Sequence, residues 1–476
     1  APAIGECAHQ IPPEIIGWFR PCLGASNFLT LTGEGKVSVI SEPSVFHETL
    51  LSQCLSSKRR ITLVSLYLGT GTLEEKLVSS IQQNLKESNG SVRVKILLDY
   101  TRGSRGSHNS RTMLLPLLDK YQKSCQVCLY HTPSLREPLR SLLPQRYNEL
   151  VGLQHMKLYL FDDSIIISGA NLSKDYFTNR QDRYVLIEDC KPLADFYDAL
   201  VSRVCNFSLQ LDKANQVQLH ESWDIHPYKG DKERFTAAAR QHIWGLYGSA
   251  IAENNQDKVE ALQEEADTMI FPLVEMGELG LHQDSEVTRH LLESAQDGST
   301  VHLSSGYFNL TQDYIDCLLH RSYANYHILM AHPTANGFYG AKGLAGAIPA
   351  AYTLLATKFL RHIQHADQEN RVFVYEFQRP GWTFHSKGLW YSPPGSLLPT
   401  LTLVGSSNFG ARSVSRDLET QVAILTSNPK LQQNLAKERD QLFSRGTLFT
   451  RNIISKPERI VPFWVHGAAR LFRNYF

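Results

Sequence analysis

The sequence contains an internal repeat, which restricts the fold more than any other feature. In the first half, "RRITLVSLYLGTGTLEEKLVSSI" and "VRVKILLDYTRGSRG" precede "GLQHMKLYLFDDSIIISGANLSKDYFTNRQDRY". In the second, "STVHLSSGYFNLTQDYIDCLL" and "YHILMAHPTANGFYGAKG" precede "WTFHSKGLWYSPPGSLLPTLTLVGSSNFGARSVSRDLETQVAI". Each half reads strand, helix, strand, Gly-rich basic loop, a strand carrying HxK, and a second apolar strand ending at Asn. Asn171 to Asp182 and Asn408 to Glu419 are both 11 positions. His155 to Asn171 is 16 and His385 to Asn408 is 23, and the extra 7 fall in "SPPGSLLPT", a Pro/Gly loop that can lengthen without disturbing its strands.

Strands alternating with helices predict an α/β fold: two pseudo-symmetric halves, each a mixed sheet flanked by helices, with one active site shared between them. The halves are assigned to residues 31–225 and 267–450. A helical connector is expected over 226–266, an irregular lead-in over 1–30 and an amphipathic segment over 451–476.

With 476 residues, 42% of them hydrophobic, the chain has material for full cores. Lys and Arg number 48 against 47 Asp and Glu, so no global field selects nucleic acid or an anionic membrane, and attraction to anions has to be local. The 8 cysteines lack a framework of repeated spacings, as in reduced intracellular proteins. Cys125 and Cys128 form an isolated CxxC within an apparent strand, where a structural role is expected. No apolar run reaches the roughly 18 residues a spanning helix needs. The chain begins at Ala1 without Met, so a processed or trimmed form is expected.

Period two along the HxK strand of the first half puts His155, Lys157 and Tyr159 on one face and Met156, Leu158 and Leu160 on the other. A histidine, a lysine and the Asn at the end of the next strand supply a nucleophile or acid, a fixed charge and a hydrogen-bond donor, a set suited to a phosphate oxyanion. Two copies face to face give two histidines across one phosphorus, one to attack and one to serve the leaving group.

His155, Lys157, Asp162 and Asn171 resemble the HxKxxxxD motif of the phospholipase D superfamily, and His385, Lys387 and Asn408 resemble its second copy. There the motif's Asp is replaced by Ser392. The strings "LLDYTRGSRG", "NGFYGAKG" and "GWTFHSKGLW" further resemble the phosphatidylglycerophosphate synthase family of eukaryotic mitochondria, from about residue 37 to 476. That resemblance implies transfer of a phosphatidyl group from CDP-diacylglycerol to glycerol 3-phosphate. It also implies that Asp182 and Glu419 orient the histidines, with the pairing left open, and that His155 is the nucleophile. Asp162 is expected either to buttress its loop or to act in the site. No cofactor is required for the chemistry and no metal site is assigned, although a divalent cation such as Mg or Ca would fit as an activator on the pyrophosphate. Arg102, Arg105, Arg111, Lys342 and Arg412, on the Gly-rich loops, are candidates for binding the second phosphate.

Residues 451–476 carry five Lys or Arg against one acid, and Trp464, Ala468, Leu471, Phe472 and Tyr475 fall on one helical face with His466, Arg470 and Arg473 on another, a pattern suited to an anionic membrane surface. The resemblance implies a peripheral protein on the matrix side of the mitochondrial inner membrane. Aromatic-interleaved basic grooves for single strands are absent from the sequence, so no nucleic-acid partner is expected. Alternatives left by the residues alone are phosphatidylserine synthase, cardiolipin synthase, a phosphodiesterase, or a non-catalytic lipid-binding scaffold.

Overall fold

The repeat in the sequence becomes two sheets of matching strand order. A computed structural model describes residues 29–31, 36–142, 148, 151–253, 267–341, 346–463 and 465. In the first sheet the neighbours run Leu209–Leu211, Cys125–Tyr130, Arg93–Asp99, Arg60–Val64, Leu158–Phe161, Ser164–Ser168, Tyr184–Ile187, Val37–Ile40, with Val217–Leu219 outside Leu209–Leu211. In the second they run Gly446–Leu448, Val372–Phe377, Asn325–Ala331, Thr300–Ser305, Lys387–Ser392, Leu401–Gly405, Leu418–Thr426, Thr268–Met276. Three central strands of each sheet are parallel, and the HxK strand then joins antiparallel. The order of parallel and antiparallel neighbours is the same in both.

These strands are covered on both faces, which is why they read as continuous apolar runs. Every position of Thr268–Met276 and Leu418–Thr426 is buried, and the two pair along their full length. One core is common to both halves: Met156, Leu158 and Leu160 pack in it with Trp390, Val422 and Ile424, beneath helices Lys191–Asn206 and Pro429–Phe443. Each half adds a second core on the other face of its sheet. The shared core fixes the halves relative to each other, so a site on their seam is held by both.

Of the lead-in, residues 1–28 lie outside the described residues. Leu29–Leu31 is a short strand, and it joins the second sheet, antiparallel to Thr268–Met276. Helix Lys232–Glu253 lies in the connector range, and residues 254–266 are outside the described residues. Cys125 and Cys128 begin and continue strand Cys125–Tyr130 as buried free thiols. Among the described residues no helix is long and apolar enough to cross a membrane.

Candidate active site

Each histidine is delivered by one half and held by the other. His155 N donates to Leu418 O at 2.9 Å, and Leu418 N donates to Leu153 O at 2.8 Å. At the pseudo-equivalent seam, His385 N donates to Gln181 O at 2.8 Å and Thr383 N to Asn179 O at 3.0 Å. These short parallel pairings set Gln154 opposite Leu418 and Phe384 opposite Gln181. The next residue along each therefore falls abreast of its counterpart: His155 beside Glu419, His385 beside Asp182. His155 Nδ1 lies 2.8 Å from Glu419 Oε1, and His385 Nδ1 lies 2.6 Å from Asp182 Oδ2. The pairing left open by the sequence crosses between halves at both histidines.

The regular strand starts later than the HxK pattern predicts. Leu158 is its first residue, and the preceding backbone is held by other partners. Leu153 N donates to Asp417 Oδ1, Gln154 N to Asp99 Oδ2 and Met156 N to the Gln154 side chain, at 2.9, 3.1 and 2.7 Å. Donors that would form a ladder instead fix His155 in the cleft.

A carboxylate accepting from Nδ1 sets the tautomer and leaves each Nε2 with its lone pair. The two Nε2 atoms differ in their surroundings. His385 Nε2 faces Lys387 Nζ at 3.1 Å and Tyr176 Oη at 3.4 Å, with the rings of Tyr176 and Tyr307 edge-on to the imidazole. His155 Nε2 makes no hydrogen bond among the described residues. The His155 side chain is 11% exposed against 4% for His385. His155 thus presents the less encumbered and more exposed Nε2 of the two.

Burial dominates the electrostatics. It pushes Glu419 up to about 7 and Asp182 up to about 6, against the opposing pull of Lys157 on the first and Lys387 on the second. Burial and then Lys157 hold His155 well below its ordinary value, and burial and then Lys387 do the same for His385. Both rings rest neutral. A proton gained at Nε2 during reaction is then stabilised by the carboxylate behind the ring. Burial lowers Lys387 to about 8 and holds Lys157 well below its ordinary value, and the buried Lys157 Nζ has no hydrogen-bond partner among the described residues. A buried amine whose N–H groups lack a partner gains its charge when an anion such as a phosphate stands against it.

Supports behind the carboxylates come from both halves. Ser413 Oγ donates to Glu419 Oε1 at 2.8 Å, and Arg183 N to Asp182 Oδ1 at 2.8 Å. Arg183 itself crosses the seam: its fork donates to both oxygens of Glu438 at 2.9 Å, and its guanidinium lies 3.8 Å over the Trp390 ring. Asn171 Nδ2 donates to Tyr176 Oη at 3.1 Å, and its Oδ1 accepts from Ser65 Oγ and Leu66 N at 3.3 Å. Asn408 Oδ1 is buried without a partner among the described residues.

The remaining candidates are dispersed. Asp162, in a turn at φ +53°, accepts from the backbone N–H groups of Lys58, Arg59 and Arg60 at 2.8, 2.7 and 3.0 Å, a buttress for its loop. Ser392, at the corresponding position of the second copy, is buried at the end of its strand. Arg102 stacks over Tyr67 at 3.7 Å, and Arg105 is half-buried in the same loop. Arg111 is tied to the Asn215 side chain at 2.9 Å and to its backbone carbonyl. Arg412 pairs with Asp417 at 3.0 Å, and Lys342 lies outside the described residues. His155, Asp417 and Glu419 bring three potential metal donors within 4.8 Å. Asp417 already accepts from Leu153 N and Arg412, and Glu419 Oε1 from Ser413, so a cation there has to displace contacts that orient His155.

The sequence reading leaves out Tyr176, Tyr307 and Arg180, which surround His385. Arg180 is found by its offset from Asn171, 9 positions, the same as Asp417 from Asn408.

No family model matches the chain. Curated relatives do. The chain is 46% identical over 466 residues to the mitochondrial CDP-diacylglycerol-glycerol-3-phosphate 3-phosphatidyltransferase of Gallus gallus, covering 92% of this chain and 83% of that one. The human protein of the same name is 46% identical over 462 residues with the same coverage, and that of Saccharomyces cerevisiae is 34% identical over 453 residues, covering 90% and 85%. The phosphatidylserine synthase of Haemophilus influenzae shares the fold with a TM-score of 0.70 at 19% identity, over 96% of this chain and 98% of that one. At this identity and coverage, the chain belongs to the CDP-diacylglycerol-glycerol-3-phosphate 3-phosphatidyltransferase family.

Proposed function

We propose that the chain transfers the phosphatidyl group of CDP-diacylglycerol to glycerol 3-phosphate, forming phosphatidylglycerophosphate and CMP in the pathway to phosphatidylglycerol and cardiolipin. The observation that carries this reading is the pair of imidazoles, each backed by a carboxylate from the other half, with only His155 Nε2 free of a protein partner among the described residues.

In the first step His155 Nε2 attacks the lipid-side phosphorus. The N–P bond forms, the P–O bond to CMP breaks with its electron pair on the CMP oxygen, and His385 assists departure. In the second step His385 takes the proton of the glycerol hydroxyl, that oxygen bonds to phosphorus, and the N–P bond breaks back to His155. Lys157 and Lys387 neutralise charge on the phosphorane, and the amides of Asn171 and Asn408 stabilise it as hydrogen-bond donors. No step is routed through a metal. A divalent cation such as Mg or Ca would act by holding the pyrophosphate.

The lipid substrate requires a membrane surface, and the mitochondrial names of the animal relatives support that organelle, with the matrix face of the inner membrane as the proposed place. What supports contact is the start of the C-terminal segment. Val461 and Val465 pack on helix Ile348–His365, while Ile460 and Phe463 stay 74% and 93% exposed. Trp464 and residues 466–476 lie outside the described residues. Exposed apolar side chains in a net basic segment suit anionic headgroups over an acyl boundary.

The test is product identification with labelled CDP-diacylglycerol offered with glycerol 3-phosphate, serine, phosphatidylglycerol or water. CMP release that depends on glycerol 3-phosphate is expected. Release that depends on serine instead overturns the acceptor assignment.

A further inference from the structure

The two copies of the site differ in one respect that their alignment isolates. Counting from Asn171 and Asn408, offset 4 holds Asp175 in the first copy and Arg412 in the second, and offset 9 holds Arg180 and Asp417. Both are ion pairs, Arg180 to Asp175 at 3.1 Å and Arg412 to Asp417 at 3.0 Å. Their polarity is reversed. The better-buried member is the cation in the first copy, with Arg180 at 14% exposure against 56% for Asp175, and the acid in the second, with Asp417 at 4% against 20% for Arg412.

Each buried member sits beside the histidine of the other half. Lys387 and Arg180 both press on His385 with positive charge; on His155 Lys157 does the same, and Asp417 opposes it. Arg180 is set in place from three sides. Its Nε donates to Thr383 Oγ1 at 2.9 Å, and its guanidinium lies 4.7 Å from the Tyr176 ring. Opposite, the backbone of Gly337 closes in so far that a Cβ there would stand 3.1 Å from Tyr307 Oη and 3.3 Å from Arg180 Nη2. This glycine belongs to the "NGFYGAKG" loop that the sequence marks as a phosphate-binding candidate. A guanidinium held largely out of water, whose one acidic partner among the described residues is more than half exposed and screened, is poorly compensated unless a second anion arrives.

We propose that Arg180 is a phosphate clamp on the His385 side of the cleft, binding the phosphate monoester that leaves with the nucleotide or enters with the glycerol. This rests on the two-step transfer proposed above. With His155 attacking, leaving and entering oxygens use the opposite face of the phosphorus, and that face is lined by His385, Tyr176, Tyr307 and Arg180. The planar fork of Arg suits a phosphate monoester, and Tyr hydroxyls complete the donor set. The reversed pair places its buried cation on the His385 side, where free phosphate has to be held, and its buried acid on the His155 side.

The test uses the full chain in two assays. Exchange of labelled CMP into CDP-diacylglycerol, without acceptor, reads the nucleotide phosphate; the KM of glycerol 3-phosphate in the complete reaction reads the acceptor phosphate. Arg180→Gln is expected to raise at least one of these constants roughly 10- to 100-fold, the loss expected for a charged hydrogen-bonding pair. The constant that rises names the source of the phosphate. Gly337→Ala, which crowds the clamp without removing charge, is expected to raise the same constant. The double variant Asp175→Arg with Arg180→Asp copies the polarity of the second copy and retains an ion pair. If Arg180 only pins its loop, that variant restores wild-type constants, and the proposal is overturned. It is equally overturned if Arg180→Gln leaves both constants unchanged. A wild-type enzyme that releases no CMP with glycerol 3-phosphate refutes the transfer itself, a result distinguishable from either.

Discussion

Replacing Glu419 by Gln separates what the site costs the fold from what it does for the reaction. Glu419 is fully buried, and burial raises its carboxyl from 4.5 to about 7. A folded-state value above the unfolded one contributes stability that is present below the unfolded value and lost as pH rises through the folded one. For this carboxyl the contribution is about 3 kcal/mol, fully present below pH 4.5 and gone above about pH 7. Glutamine does not titrate. Its amide also takes the place of Oε2, a buried oxygen without a hydrogen-bond partner among the described residues, and the added unsatisfied N–H donors there cost about 1–3 kcal/mol at every pH. E419Q should therefore be clearly less stable than wild type at pH 4.5, and by pH 8 should recover about 3 kcal/mol of that difference and equal or exceed wild type. Urea unfolding of both proteins at the two pH values measures this. A stability difference that is the same at both refutes the reasoning, because it leaves no ionised carboxylate burdening the fold. Turnover should meanwhile fall by about 10³–10⁴, the usual loss when the group orienting a catalytic imidazole becomes neutral.

The pH profile of kcat/KM should fall on the acid side as Glu419 and Asp182, raised to about 7 and about 6, take up protons, and a profile flat down to pH 5 would contradict both positions. Gly388→Ala places a Cβ at φ +119° against Leu403 O and the Arg183 guanidinium, and should cost about 2–5 kcal/mol in urea unfolding. Arg183→Lys loses the bidentate bond to Glu438 and should cost about 3 kcal/mol, lowering kcat more than it raises KM because Asp182 is positioned by its neighbour. Deleting residues 460–476 should weaken binding to anionic vesicles while far-UV circular dichroism stays unchanged, and undiminished binding refutes the membrane role.

The duplication was legible because spacing survives where composition drifts. Equal intervals from Asn171 to Asp182 and from Asn408 to Glu419 reflect a turn and a short helix of equal length in each half. The pairing of carboxylate with histidine was not legible, since it depends on two parallel bridges across the seam, one joining Gln154 to Leu418. Nor was the late start of the HxK strand, because the acceptors that take its N–H groups, Asp99 and Asp417, stand far away in sequence. Arg111 looks like Arg102 in a basic loop, yet its partner Asn215 lies 104 residues on. Arg180 was hidden for a different reason: its counterpart carries the opposite charge, so a search for matching residues passes over it.

The central claim is that His155 carries the phosphatidyl group. Incubating the full chain with a short-chain CDP-diacylglycerol and no acceptor, quenching in alkali to preserve an N–P bond, and mapping the adduct by peptide mass spectrometry tests it most directly. The account predicts a phosphatidyl adduct on His155 that disappears when glycerol 3-phosphate is added. An adduct on His385, with His155 unmodified, would contradict it.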